Sequence, residues 1–546
     1  MYNLILRNAK IFDGTGGPWY RADVALKGEL ISRIGKINDA TALKEVDLAG
    51  RTLCPGLIDP HSHADIIATS MNPENEIYQG VTTQITGNCG KSNAPVNPET
   101  LDLLKRYLGA YTPKGIEVNW EWSTLGDWLD VIDRQGYITD IGVLIGQGTI
   151  RMAVMGMSDM SPTPAQMKEM KRLVAASMEQ GALGMSSGLI YPPGSFTGKE
   201  ELIELCRVVA DFGGTYATHM RSEGVQQIEA LDEAIDIGRV SGCRVHISHH
   251  KVTHPYDGMS LETLRKIEAA REMGIDVSFD VYPYTAGFTQ ISTLVPKWAT
   301  VGGVDAMLER LNDPELRSRI KEDLSLEIPG WENFVKSAGW GGVFISSTKV
   351  DRSVEGKSLE QIASERNETP ADTLIDIILR EKAEASVVVW SQSEEDHDRI
   401  ISHPLSMIGS DGFPCNYSEP TLQGRPHPRC FGTFPRVLGL YSREKRLMDL
   451  GTAVWKMTGY PAQRFGFHDR GLIKEGLLAD LVVFDPGKIA DGASFEDPFR
   501  KPEGIDLVIK NGEVVVENNQ FTGKILGRTV RSRKNQATHG NSSRDR

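Results

Sequence analysis

The stretch PGLIDPHSHAD, residues 55–65, decides the fold. A Pro-Gly turn opens it, a short apolar strand follows, and the strand ends on two histidines. Residues i and i+2 of a strand face the same side, so His61 and His63 can reach one point. An H-x-H pair is not diagnostic by itself, and its meaning depends on the segments that follow it.

Seven further short apolar strands repeat this pattern, with helical stretches such as 165–180 between them. Alternating strands and helices are typical of a parallel sheet with helical connections. Eight such units predict a (β/α)8 TIM-like barrel over residues 55–466, with its chemistry at the carboxyl ends of the strands. The predicted strands are 57–63, 81–87, 141–148, 182–188, 215–220, 244–250, 275–284 and 406–412.

The two ends of the chain differ from this middle. Residues 1–54 and 467–526 consist of short strands and turns, and Asn511-Gly512 is a strong hairpin turn. They predict one small β-sandwich domain built from both chain ends, attached to the α/β barrel.

Two segments follow neither pattern. Residues 285–405 separate the last two predicted barrel strands, and so long an interval predicts a lid insertion over the active face. Within it the apolar run VVVW (387–390) is a strand candidate outside the barrel. Residues 527–546 are polar and basic with almost no apolar side chains, so they are predicted to be disordered.

Composition restricts the class of protein. The chain has 546 residues, which is more than one core usually holds, and a net charge of −13, which argues against nucleic acid as a partner. Its six cysteines show no paired spacing, its N-terminus lacks a signal-peptide pattern, and no apolar run is long enough to span a bilayer. We therefore expect a cytoplasmic protein without membrane association.

Candidate metal ligands stand at the ends of other predicted strands. Cys89 follows the second strand in GNCG, His219 ends the fifth, and His249 ends the sixth. Each residue alone is more often structural than functional. Together, one thiolate and two imidazoles that converge at the top of a barrel suit Zn²⁺ with an open fourth position.

The sixth strand offers three histidines for this role. Strand alternation places His249 and Lys251 on one face, and His246 and His250 on the other. We favour His249, although alternation alone does not decide between them. Asp411, in GSDG after the eighth strand, either caps a turn or acts as the general base that takes a proton from an activated water.

In this order, the strand-end motifs resemble those of the D-aminoacylase group of the amidohydrolase superfamily, from about residue 3 to residue 516. The motifs that carry the resemblance are PGLIDPHSHAD, GVTTQITGNCG, SSGLIYPPG, YATHMRSEG, HISHHK, FDVYPYTAG, GSDG and PHPRCFGTFPRVLG. The resemblance implies two adjoining metal sites. The tight zinc site would use Cys89, His219 and His249, and a weaker or vacant second site would use His61, His63 and Asp411, with Cys89 able to bridge.

The resemblance also implies the substrate, an N-acyl-D-amino acid whose amide bond is hydrolysed. Lys251, Tyr282 and Arg429 match the positions that bind the carboxylate, and Tyr191 matches a residue near the scissile carbonyl. Asp411 would act as general base and then as general acid. The loop before Arg429 is longer than the compact loop usual for the group.

Two alternatives stay open at this point. In one, the protein has the same barrel but hydrolyses a different amide bond, as a cyclic amide hydrolase or a peptidase. The other is a catalytically inactive scaffold, although the chain retains the ligand positions. The predicted partner is a small N-acyl amino acid, and an oligomer is compatible with the sequence.

Overall fold

The structure is a computed structural model that describes residues 1–109, 111–113, 115–417 and 424–532. Its centre is a sheet of eight parallel strands that follow one another in chain order around a barrel, as the sequence predicts. Ser62 and Gly412 form a parallel bridge that closes the barrel between the first and last strands. The strands are Leu57–Asp59, Val81–Thr86, Asp140–Gly146, Gly184–Gly188, Thr215–His219, Arg244–Ile247, Val277–Val281 and Ser406–Ile408.

Helices cover the outside of the barrel, so most strand residues are buried, which explains their continuous apolar runs. Local signals set the helix bounds: Thr163 caps the predicted helix at 165–180, and Pro164 occupies its first turn. The α-helices before the lid are Asn75–Tyr78, Leu101–Gly109, Leu125–Gln135, Gln147–Met155, Pro164–Glu179, Lys199–Asp211, Gln227–Ser241 and Ser260–Glu272. After it come Glu394–Ser402, Arg429–Arg436, a π-helix at Val437–Glu444, Leu450–Lys456 and Gly459–Phe465.

Strands from both chain ends combine beside the barrel into one nine-stranded sheet with its own apolar core. The two halves join where Thr52–Pro55 pairs antiparallel with Leu481–Phe484. The N-terminal strands are Tyr2–Ile11, Tyr20–Lys27, Leu30–Gly35, Ala42–Asp47 and Thr52–Pro55. The C-terminal strands are Leu481–Phe484, Ile505–Lys510, Glu513–Glu517 and Gln520–Phe521.

The predicted insertion before the last barrel strand is present and has a separate hydrophobic core. Its three-stranded antiparallel sheet has the predicted outlying strand at its centre, as Ser386–Trp390, between Ala286–Gln290 and Val343–Ser347. Its α-helices are Val304–Asn312, Pro314–Asp323, Phe334–Ala338, Leu359–Arg366 and Pro370–Arg380. We call residues 285–405 the lid.

Short 3-10 turns complete the described chain. They lie at Ala64–Ile67, Pro98–Thr100, Gly194–Phe196, Ile291–Leu294, Lys297–Thr300, Trp340–Gly342 and Arg352–Val354. Within the described ranges, no helix is long and apolar enough to cross a membrane.

The prediction of a disordered tail is wrong over residues 527–532. Thr529–Val530 forms a short strand that pairs parallel with the third barrel strand. The amide of Arg528 donates to Asp140 Oδ1 at 2.8 Å, and Arg531 lies 3.0 Å from the carboxylate of Asp133. Backbone hydrogen bonds and ion pairs therefore anchor a segment that has few apolar side chains. The rest of the predicted tail, 533–546, lies outside the described residues.

Candidate active site

Three predicted ligands meet above the carboxyl ends of the barrel strands. The Cys89 sulfur lies 3.6 Å from Nε2 of His249 and 3.8 Å from Nδ1 of His219. All three side chains are buried, and their ligand atoms lie within 4.8 Å of one another. Such a cluster of one thiol and two imidazoles can hold a metal ion.

A second group shares Cys89 with the first. Nε2 of His61 lies 3.5 Å from the Cys89 sulfur and 3.4 Å from Oδ1 of Asp411. Nε2 of His63 lies 3.1 Å from the same carboxylate oxygen. The sulfur therefore stands between two potential metal positions, where one thiolate can contact both.

Strained backbone positions these side chains. Cys89, His249 and Asp411 have φ angles of 52°, 37° and 47°. These values lie in or next to the left-handed region, which non-glycine residues rarely occupy. Each of the three residues follows a barrel strand, and each contributes a side chain to the candidate metal groups. Strain of this kind is typical of functional sites.

The structure distinguishes the three histidines of the sixth strand. His249 faces Cys89, as predicted. His250 turns away, and its Nε2 lies 3.0 Å from Thr263 Oγ1. His246 is buried, and its ring nitrogens lie 2.8 Å from Ser278 Oγ and from Asp280 Oδ2, both within the seventh strand.

Electrostatics favour a thiolate at Cys89 and an ionised carboxylate at Asp411. Burial would raise the pKa of the Cys89 thiol, but the neighbouring His61, together with hydrogen bonds from the other two histidines of the cluster, holds it well below its ordinary value. Burial likewise opposes ionisation of Asp411, yet the guanidinium of Arg429 and the ring of His61 hold that pKa well below its usual range.

Two carboxylates that sequence reasoning missed orient the histidines. Glu223 Oε1 lies 3.0 Å from Nδ1 of His249, and Asp280 Oδ2 lies 3.2 Å from Nδ1 of His61. Carboxylates commonly fix ligating histidines in this way. A signal for both existed, since Glu223 lies four residues beyond His219 and Asp280 lies in the seventh strand.

The predicted carboxylate-binding residues lie together, with Lys251 and Arg429 over the ring of Tyr282 at 5.7 and 4.8 Å. Lys251 already has a partner, because its ammonium lies 2.6 Å from Glu223. Arg429 Nη2 lies 2.9 Å from Asp411 Oδ2. Arg429 lines the pocket, and its Nε and Nη1 are buried without a hydrogen-bond partner in the described part of the chain.

The fourth strand supplies the opposite wall. The ring of Tyr191 lies 5.2 Å from that of His219, and its hydroxyl lies 3.4 Å from Thr289 of the lid. Behind it sits Lys91, which sequence reasoning missed. Its ammonium is caged by tyrosine rings, including Tyr191 at 4.4 Å and Tyr111 at 3.9 Å.

Comparison with known proteins agrees with this arrangement. A model of the amidohydrolase family matches residues 44–516 of the chain. The chain belongs to the amidohydrolase family. The motif-based assignment to the D-aminoacylase group of these amidohydrolases is confirmed by a D-aminoacylase of Alcaligenes xylosoxydans xylosoxydans. That protein is 37% identical over 537 residues, which cover 97% of each chain.

Two solved amidohydrolase structures match nearly the whole chain. One is a D-aminoacylase with a binuclear metal centre, which has 35% identity, a TM-score of 0.81, and coverage of 97% of this chain and 100% of that one. The other is an N-acyl-D-glutamate deacylase from Bordetella bronchiseptica, complexed with zinc and a phosphonate that mimics the tetrahedral intermediate. It has 30% identity, a TM-score of 0.80, and coverage of 97% and 99%.

Proposed function

We propose that this protein hydrolyses the amide bond of N-acyl-D-amino acids with zinc as its metal. The observation that carries the proposal is the position of Arg429, which lines the same pocket as the cysteine–histidine cluster and has two buried donors without a partner among the described residues. A metal cluster beside an unpaired guanidinium suits a substrate with an amide and a nearby carboxylate. The similar proteins named above are a D-aminoacylase and an N-acyl-D-glutamate deacylase by name.

The donor set fits zinc. Tetrahedral zinc, with Zn–S of about 2.3 Å and Zn–N of about 2.0 Å, separates sulfur from nitrogen by roughly 3.5 Å. The distances from the Cys89 sulfur to His249 and His219 are 3.6 and 3.8 Å. We propose one tight zinc held by Cys89, His219 and His249. A weaker second position would use His61, His63 and Asp411, with Cys89 shared.

The described residues around this cluster can bind and orient the substrate. Nε and Nη1 of Arg429 would donate to the substrate carboxylate, since a guanidinium fork pairs well with a planar carboxylate. The stacked ring of Tyr282 holds the guanidinium in place. Lys251 adds positive charge at this wall, while its contact with Glu223 fixes its position.

Asp411 would move the proton. When bound, zinc supplies Lewis-acid activation of water and of the acyl carbonyl. Asp411 is ionised and is held by Arg429, so it can accept the proton of the attacking water. It then donates that proton to the departing amine nitrogen. The hydroxyl of Tyr191, on the opposite wall, would stabilise the charge that develops on the carbonyl oxygen.

A panel of N-acetyl-D- and N-acetyl-L-amino acids tests the proposal. We expect hydrolysis of the D series at least about 100-fold faster, because fixing the carboxylate and carbonyl leaves one productive placement of the side chain. Chelation should abolish the activity, and added zinc should restore it. Equal rates for N-acetyl-D- and N-acetyl-L-methionine would contradict the proposal, and selective cleavage of ring amides would favour a cyclic amide hydrolase.

The role of Arg429 has its own test. Arg429→Ala should reduce kcat/KM far more for N-acetyl-D-methionine than for the corresponding amide, which has no carboxylate to bind. Arg436→Ala is the matched control, since this arginine lies over Tyr284 and bonds to Asp491 outside the pocket. Equal losses on both substrates would show that Arg429 acts only through Asp411.

A further inference from the structure

A second cavity adjoins the metal pocket. It has a volume of about 100 Å³, whereas the metal pocket has about 30 Å³. Tyr191 and Phe334 line both cavities, so the two cavities adjoin at these rings. We call the larger one the lid chamber, because the lid forms one side of it. The metal pocket alone has little room beyond the reacting groups.

The lid chamber lies across the barrel from the carboxylate-binding wall. Its barrel side consists of Tyr107, Met157 and Ile190, which follow the second, third and fourth strands. Arg429 follows the eighth strand. In a closed barrel of eight strands in chain order, the fourth and eighth strands are diametrically opposed.

The parts of the substrate follow one another in the same order as the parts of the pocket. In an N-acyl amino acid, the scissile amide separates the α-carboxylate from the acyl chain. When the carboxylate lies at Arg429 and the amide lies over Cys89, the acyl chain must extend towards Tyr191. Tyr191 also lines the lid chamber, so this chamber adjoins the path of the acyl chain.

We propose that the lid chamber binds the acyl chain, so that the preferred substrates carry an apolar acyl group longer than acetyl. This inference rests on the proposed deacylase function and names its acyl specificity. The chamber is lined mainly by apolar side chains, among them Leu103, Val295 and Trp331. Burial of each methylene against such a surface is worth up to about fourfold in kcat/KM.

The charged residues of the chamber are engaged and do not create an anion site. Arg106 pairs with Asp305, and this contact joins the helix after the second strand to the lid. Glu332 hydrogen bonds to the loop after the fifth strand. The ammonium of Lys297 lies 5.6 Å over the ring of Phe196. An aliphatic chain is therefore the chemistry that the chamber suits.

Two matched substrate series test the inference on the zinc-loaded full-length protein. One series extends the acyl group from acetyl to butanoyl and hexanoyl on D-methionine, and the other enlarges the D-side chain with acetyl fixed. We expect kcat/KM to rise about tenfold or more from acetyl to hexanoyl. No rise along the acyl series in the wild type would overturn the inference, while hydrolysis of N-acetyl-D-methionine would leave the deacylase proposal intact.

Variants that fill the lid chamber test whether the acyl chain binds there. Ser292→Phe and Met157→Trp each place a ring in the chamber from a different side, and neither residue is fully buried. Both should lower the hexanoyl-to-acetyl ratio of kcat/KM about tenfold, whereas Ser292→Ala should keep the wild-type ratio. If the filled variants instead lose activity on bulky side chains at fixed acetyl, the chamber binds the side chain and the inference is wrong. Absence of any hydrolysis of N-acyl-D-amino acids would be a failure of the proposed function itself.

Discussion

Two fully buried lysines lie at opposite ends of the barrel, and they differ in whether their side-chain nitrogens have hydrogen-bond partners. At the amino end, the ammonium of Lys510 lies 2.7 Å from Asp140, 2.8 Å from Asp480 and 3.3 Å from Asn511. At the carboxyl end, the ammonium of Lys91 has no hydrogen-bond partner within the described residues and faces tyrosine rings.

The difference separates structural from functional use of buried charge. A buried charge with all its partners stabilises one arrangement and offers nothing to a ligand. A buried donor without a partner raises the free energy of the empty site and leaves that capacity for a ligand. The unused donors of Arg429 follow the same logic as Lys91, and both lie at the carboxyl end. The following predictions test this contrast.

The largest effect on activity is expected at His249, whereas its neighbour His250 serves as the control. His249→Gln should remove the tightly held metal and lower kcat/KM by at least about 10⁴-fold, because the cysteine–histidine cluster loses a ligand. His250→Gln, one residue away, should keep both metal and activity, since its ring contacts Thr263 instead. Metal analysis beside kinetics checks this, and the opposite result would reverse the ligand assignment.

Asp411→Asn should lower kcat on the order of 10³-fold while the tight metal is retained, because the proton carrier is lost. The residue belongs to the group of His61, His63 and Cys89 but not to the cluster of Cys89, His219 and His249. Metal content and the melting temperature serve as controls. A near-normal rate would show that another group takes the proton.

At the amino end, Lys510→Met should reduce the free energy of unfolding by about 3–5 kcal/mol, because Asp140 loses a buried partner. Zinc content and kcat of the folded fraction should not change. Urea denaturation measures the first and metal analysis the second. A stable variant with altered kinetics would break the contrast between the two ends.

The ion pairs of Asp140 with Lys510 and Arg470 also predict that the stability of the protein depends on pH. Burial opposes ionisation of Asp140, but Lys510 and Arg470 lower its pKa to about 2. A carboxyl whose pKa is depressed on folding stabilises the protein above its ordinary pKa, and that stabilisation is lost as pH falls towards the folded value. Wild type should therefore lose this contribution between about pH 4 and 2, whereas Asp140→Asn should lack it at every pH. Melting curves across that range check the difference.

The smallest effect is expected for Lys91→Met. The fold should be no less stable than wild type, since burial lowers the pKa of Lys91 to about 7 and the variant removes a buried amine without hydrogen-bond partners among the described residues. We expect kcat/KM to fall about tenfold, because the ammonium holds the rings of Tyr191 and Tyr111 that line the metal pocket. A large loss of stability with unchanged kinetics would place Lys91 with Lys510, as a structural residue.

The sequence determined the barrel and most of its candidate site, because both are encoded locally. Each strand is a short apolar run, and the chemical residues come directly after it, as Cys89 does after Val81–Thr86. Parallel strands place their carboxyl ends at one edge of the barrel, so residues far apart in sequence are brought together by topology alone. The lid was predictable because it interrupts this repeat.

Tertiary structure alone decided three other features. Alternation could not identify His249, because the strand ends at Ile247 and the backbone of His249 turns to a φ of 37°. The tail at 527–532 is held through backbone pairing with the third barrel strand, which leaves no apolar pattern to detect. Whether a buried charge has partners depends on residues distant in the chain, as the pairing of Lys510 with Asp140 shows.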